Sequence, residues 1–184
     1  MDSKQALSHQ TMAQHARPLV DSLTAGAAAG ASRRARVHAL SSAKALEEMA
    51  CRLGDGPRHL GEAPGVLPAL VGALAAAGRS VPPCRSLTSA AQNSARALGA
   101  LANRSWEVAA RLGELPGALP ALVATAADRR GTTGACAGAL AAIASASPQL
   151  ARRVGDEPGA LQVSPGSYRS SRRARCRARH AAVC

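Results

Sequence analysis

The sequence predicts an all-α fold assembled from short helices that recur along the chain. Three observations carry that expectation. Alanine fills 45 of the 184 positions, and it is the strongest helix former because it loses no side-chain entropy. Phe is absent, and one Trp and one Tyr are too few aromatic residues to fill a thick globular core, close a β-barrel or stack RNA bases. Finally, one block of sequence returns three times with constant internal spacing.

The recurring block is ALEEMACRLGDGPRHLGEAPGVL at 45–67, ALGALANRSWEVAARLGELPGAL at 97–119 and ALAAIASASPQLARRVGDEPGAL at 139–161. Leu46, Leu98 and Leu140 align without gaps, as do Pro64, Pro116 and Pro158, and Gly65, Gly117 and Gly159. Glycines 61, 113 and 155 also coincide, each followed by an acid. The steps between copies are 52 and 42 residues, so a ten-residue difference lies outside the constant block. Residues 75–90 contain Pro82 and Pro83, which end helices, and are expected to hold that insertion as a loop. Residues 24–34 read as a similar insertion after PLVDSL at 18–23.

Each unit reads as three helices. The first is short and runs through WEVAARLG in one copy, with Ser105 placed to cap its free amides. Its counterpart starts at Ser147, with Pro148 in the first helical position, where a missing N–H costs nothing. A Gly-acid-x-Pro-Gly turn then stops the helix, because glycine accepts a left-handed conformation at a C-terminus. The second helix carries Leu67, Leu70, Val71 and Leu74 as one apolar stripe. The third, SARALGALA at 94–102, places Leu98 and Leu101 on one face among small residues that let neighbouring backbones approach.

This order of short helix, PGALPALV second helix and A-x-A-L-x-x-L-A third helix resembles the armadillo repeat family. The resemblance covers residues 17–162, as partial units at 17–50 and 145–162 around full units at 51–102 and 103–144. It implies an α-solenoid, an armadillo-like superhelix of three-helix repeats, whose third helices line a groove for extended segments of partner proteins. In the importin-alpha branch that groove is read by a Trp and, four residues later, an Asn on each third helix. The Trp places here hold Lys44, Arg96 and Gly138, and the Asn places hold Glu48, Ala100 and Ala142. The import-peptide ladder is therefore missing. The groove offers Lys44, Glu48, Gln92 and Arg96 instead, as partners for carboxylates or backbone groups. On a helix, such charges otherwise serve as a solvated face.

Flanking segments differ in character. Residues 1–16 are polar and are expected to be disordered, with no apolar run of a secretory signal. Residues 163–184 hold six of the 23 basic residues and no acid, half of the net charge of +12. Their cluster Arg172, Arg173, Arg175, Arg177 and Arg179 is expected to be a disordered tail that could grip nucleic acid or act as an import signal. Stacked units bury their faces against neighbours and need polar caps at the ends. None is evident after Leu161, so the reading includes a fragment of a longer array, a divergent gene model or end-to-end association of copies.

Motifs for chemistry are weak. Ser41 and Lys44 fit S-x-x-K without the companion motifs of a Ser-Lys nucleophile. Glu47 and Glu48 lie about 100° apart on a helix and form no catalytic pair. Five cysteines without a CxxC pair argue against a disulfide framework and for reduced thiols. Cys176, His180 and Cys184 recur every four residues but lack a fourth ligand. No cofactor, catalytic residue or metal site is expected, nor an integral membrane span. The expected role is a non-catalytic, cytoplasmic or nuclear protein–protein interaction scaffold. The alternative is a helical-repeat nucleic-acid binder that uses the basic tail.

Overall fold

The computed structural model describes residues 3–51, 56–79, 85–127 and 133–160, with side chains excluded for 3–10 and 56–57. These residues form nine helices and no strand, so the all-α expectation holds. The helices are α1 (Ser3–Ala27), α2 (Arg33–Cys51), α3 (Gly56–Glu62), α4 (Val66–Arg79), α5 (Arg85–Ala102), α6 (Trp106–Glu114), α7 (Ala118–Ala127), α8 (Thr133–Ala146) and α9 (Pro148–Asp156).

The N-terminal segment corrects the expectation of disorder at 1–16. From Ser3 onward it forms the first half of α1. Docking explains this: Ala16 and Leu23 are buried, and Met12, Ala13 and Leu19 pack against the same core. Pro18 sits inside this helix. An interior proline loses one backbone bond and costs roughly 3 kcal/mol, which the packing of α1 on α2, α3 and α4 offsets.

The expected loop at 75–90 is also largely helical. α4 extends to Arg79 and α5 begins at Arg85, leaving five residues between them, as between α7 and α8. Relative to the aligned prolines, α4 carries four more C-terminal residues than α7. Relative to the aligned Leu98 and Leu140, α5 starts six residues earlier than α8. The ten extra residues are thus stored as helix. Their sequence allows it, because Ala75–Ala77 favour helix and Leu87 gives the added turns an apolar side chain to bury. Likewise the expected insertion at 24–34 comprises the last turn of α1, a five-residue connection and the start of α2.

Both serine caps form. The Ser105 hydroxyl accepts from the Val108 amide and the Ser147 hydroxyl from the Leu150 amide. The turn after each short helix works differently from the expected glycine stop. Leu115 and Glu157 end α6 and α9 in extended conformation, because the following proline excludes them from the helical region. Gly65, Gly117 and Gly159 come two residues later, with φ of 81°, 77° and 88°, and redirect the chain.

Helices in corresponding positions pack in series. α2 contacts α5 and α5 contacts α8; on another side α1 contacts α4 and α4 contacts α7. The aligned Leu46, Leu98 and Leu140 are all buried in one continuous core, with Leu70 and Leu122 beside them. Two further contacts recur. A Cβ added to Gly61 would sit 2.6 Å from Val108 Cγ2, and one added to Gly113 would sit 2.8 Å from Leu150 Cδ2. Val108 and Leu150 occupy the same aligned position, so each glycine is a socket for the next short helix. The aligned Gly155 has no described atom within 4 Å of such a Cβ.

This series yields a direct test. Gly61→Val and Gly113→Val each overpack a filled socket and are expected to destabilise by about 1–3 kcal/mol in denaturant titrations. Gly155→Val makes the same chemical change in an open position and is expected to leave the midpoint unchanged or slightly raised.

Candidate functional site

The series α2, α5 and α8 sets the candidate surface. On α2, Val37, Ser41, Lys44 and Glu48 fall three or four residues apart and form an exposed stripe. On α5, Gln92, Arg96 and Ala100 share one face, and Asn103 follows just past the helix end. On α8, Ala141 and Ser145 are exposed and Ala142 is half-buried, while Gly138 is covered.

Two ion pairs organise the residues singled out from sequence. Lys44 Nζ lies 3.9 Å from Glu48 Oε1 within α2, and both side chains are more than half exposed. Such a pair contributes about 0.3–0.5 kcal/mol, so solvent or a partner competes with it readily. Arg96 Nη1 instead reaches Glu47 Oε1 at 3.8 Å, crossing from α5 to α2. The adjacent glutamates therefore diverge: half-buried Glu47 joins the two helices and Glu48 faces outward. Gln92 is half-buried one turn before Arg96. The tail residues Arg172, Arg173, Arg175, Arg177 and Arg179 lie outside the described residues, as do Cys176, His180 and Cys184.

A feature that the sequence reading passed over lies where α5, α6 and α8 meet. A cavity of about 360 Å³ is bounded by Asn103, Arg104, Trp106, Ala142 and Ser145. Trp106 is 68% exposed although it is the chain's single tryptophan. Its angle on the helix is not the reason: at 100° per residue Trp106 falls within about 60° of the buried Ala109 and about 20° of the buried Gly113, and it is exposed as the first residue of α6. Asn103 Nδ2 donates to the Gly99 carbonyl at 2.6 Å, and Ser145 Oγ donates to the Ala141 carbonyl at 2.8 Å.

A second polar cluster clasps α3 to α6. Arg58 Nε contacts Glu62 Oε1 at 3.1 Å while its Nη2 lies 3.6 Å from Glu107 Oε1. Arg111 Nη1 donates to the Gly61 carbonyl at 3.3 Å, beside the Val108 socket. Ser105 Oγ donates to Glu107 Oε2 at 2.7 Å. That hydroxyl, the Glu107 backbone amide and Arg58 hold the Glu107 carboxyl below its ordinary value of 4.5. These groups are engaged with one another, and their geometry joins helices.

The remaining chemistry is sparse. Ser41 Oγ donates to the Val37 carbonyl and Lys44 approaches Glu48, so this S-x-x-K pair is turned to other partners. Burial pushes the Cys136 thiol up to about 12, leaving it an apolar core residue at neutral pH. Among the described residues no group of three or more His, Cys, Asp or Glu is arranged to hold a metal ion. No described helix is long and apolar enough to cross a membrane. Compared with protein-family models, curated proteins and solved structures, the chain matches none.

The clasp carries a pH signature. Because the folded-state value of Glu107 is lowered, its stabilisation is complete above about 4.5 and is lost as pH falls through the folded value. Wild type is expected to exceed Glu107→Gln in denaturation midpoint at neutral pH. That gap is expected to narrow as pH falls below 4.5 and to close once pH passes below the lowered folded-state value, where Glu107 is protonated.

Proposed function

We propose that the chain is a non-catalytic protein–protein interaction scaffold, an armadillo-like α-solenoid that holds extended partner segments across α2, α5 and α8. The observation that carries this reading is the serial packing of those three helices. It brings exposed Lys44 and Glu48, then Arg96, then the open cavity beside Trp106 onto successive helices. An extended chain rises about 3.3 Å per residue, so a short segment reaches from one helix to the next, roughly 8–10 Å away. The Lys44–Glu48 pair on this path is long and exposed, so a partner's carboxylates and carbonyls can replace it at little cost, while Arg96 keeps part of its guanidinium exposed beside Glu47. The resemblance of the PGALPALV and A-x-A-L-x-x-L-A segments to armadillo repeats supports the same reading. The scaffold acts in the cytoplasm or nucleus, and it needs no cofactor.

The test begins with a display library of unstructured peptides selected on the immobilised chain. Binding of the selected segments is expected to fall at least about ten-fold in the Lys44→Gln, Arg96→Gln double variant, measured below the melting transition of both proteins, the scale of two charge-assisted contacts. Unchanged binding in that variant would remove the proposed surface. Salt separates the nucleic-acid alternative, since a phosphate binder loses affinity steeply between low and physiological ionic strength.

A further inference from the structure

We propose that the cavity beside Trp106 is a subsite for an acidic, extended peptide segment, seating one carboxylate on Arg104 and an adjacent apolar side chain against the indole. This deepens the scaffold reading and rests on it. The volume, about 360 Å³, falls at the lower end of ligand-binding clefts, roughly 300–1,000 Å³. Its floor is made by Ala142 and Ala146 of α8, whose methyl groups leave room for an approaching backbone. Trp106 forms the wall with two thirds of its surface exposed, and among the described residues its N–H has no hydrogen-bond partner. An exposed tryptophan with a free donor at a cavity rim has the composition of a binding hot spot.

Charge selects the ligand. Arg104 is the one charged residue that lines the cavity, and no described carboxylate pairs with it. The nearest acid in sequence, Glu107, is turned to Ser105 and Arg58. The lining therefore combines an arginine that no described carboxylate neutralises with an exposed aromatic side chain, which complements a carboxylate and an aliphatic residue on one segment. Asn103 adds specificity for extended backbone. One hydrogen of its amide nitrogen is donated to the Gly99 carbonyl, which fixes the side chain and leaves its oxygen to accept a peptide N–H. A single-stranded nucleic acid fits these observations less well. It needs a charged track and successive stacking rings, whereas the cavity has one cation and one ring.

The chain carries its own reporter, because Trp106 is its only tryptophan. The full chain is titrated with a blocked octapeptide of alternating Glu and Leu, its Gln/Leu isostere, its Lys/Leu counterpart and an oligothymidylate, while Trp106 emission is followed. The expected result is a saturable blue shift with the Glu/Leu peptide and at least about ten-fold weaker binding of the Gln/Leu isostere, the loss of one charge-assisted pair. Arg104→Glu, an exposed substitution whose fold is checked by its thermal melt, is expected to abolish the Glu/Leu response and create one to Lys/Leu. Equal response to Glu/Leu and Gln/Leu, no saturable shift, or displacement of the peptide by oligothymidylate overturns the proposal. If it fails while library peptides still depend on Lys44 and Arg96, the acidic subsite falls and the scaffold stands. Loss of that dependence as well removes the scaffold.

Discussion

Close approach of helix backbones is the constraint on which the rest depends. A chain without Phe and with only 31 Leu, Val and Ile residues cannot bridge wide gaps between helices. It folds because glycine and alanine bring the backbones together. Gly61 and Gly113 admit Val108 and Leu150, Gly99 lies against the Ala135 carbonyl, and Gly26 lies against Ala39. Thin interfaces of this kind recover packing density with small side chains. They also make each interface intolerant of an added methyl group.

That constraint positions the candidate surface. Because α5 must lie close to both α2 and α8, its outward stripe is flanked by theirs, and polar residues there can act across helices. Glu47 and Arg96 do so, tying α2 to α5 and leaving Lys44 and Glu48 at the edge. The same economy forms the cavity. Large side chains on α8 at 142 and 146 would fill it; alanines leave it open beside Trp106. The polar clasp of Arg58, Glu62 and Glu107 serves the opposite need, adding directional contacts where apolar area is scarce.

Much of this was legible where one periodicity governs. The stripe Leu67, Leu70, Val71 and Leu74 identified α4, and Ser105 and Ser147 marked the starts of α6 and α9, because caps are local and need no tertiary information. The first half of α1 was not legible, since its apolar residues are sparse and its order comes from docking on other helices. The diproline at 82–83 suggested a long loop, yet the adjoining helices run to within five residues of each other. At the site, Glu47 and Arg96 are 49 positions apart and no spacing rule joins them. Trp106 left no such signal: on the helical wheel it falls within about 60° of the buried Ala109 and about 20° of the buried Gly113, so from sequence it reads as core.

The helical storage of the ten-residue difference alters the outline of the molecule. The added four residues on α4 and six on α5 are about 6 Å and 9 Å of helix. α1 ends and α2 begins 52 residues before α4 ends and α5 begins, so the first two helical hairpins have tips of matching register. The α7–α8 hairpin falls short of them. Along the described helices, α7 and α8 are therefore about 6 Å and 9 Å shorter at this end than α4 and α5. A chain of nearly uniform chemistry thereby gives successive helical hairpins different lengths without changing the block that repeats.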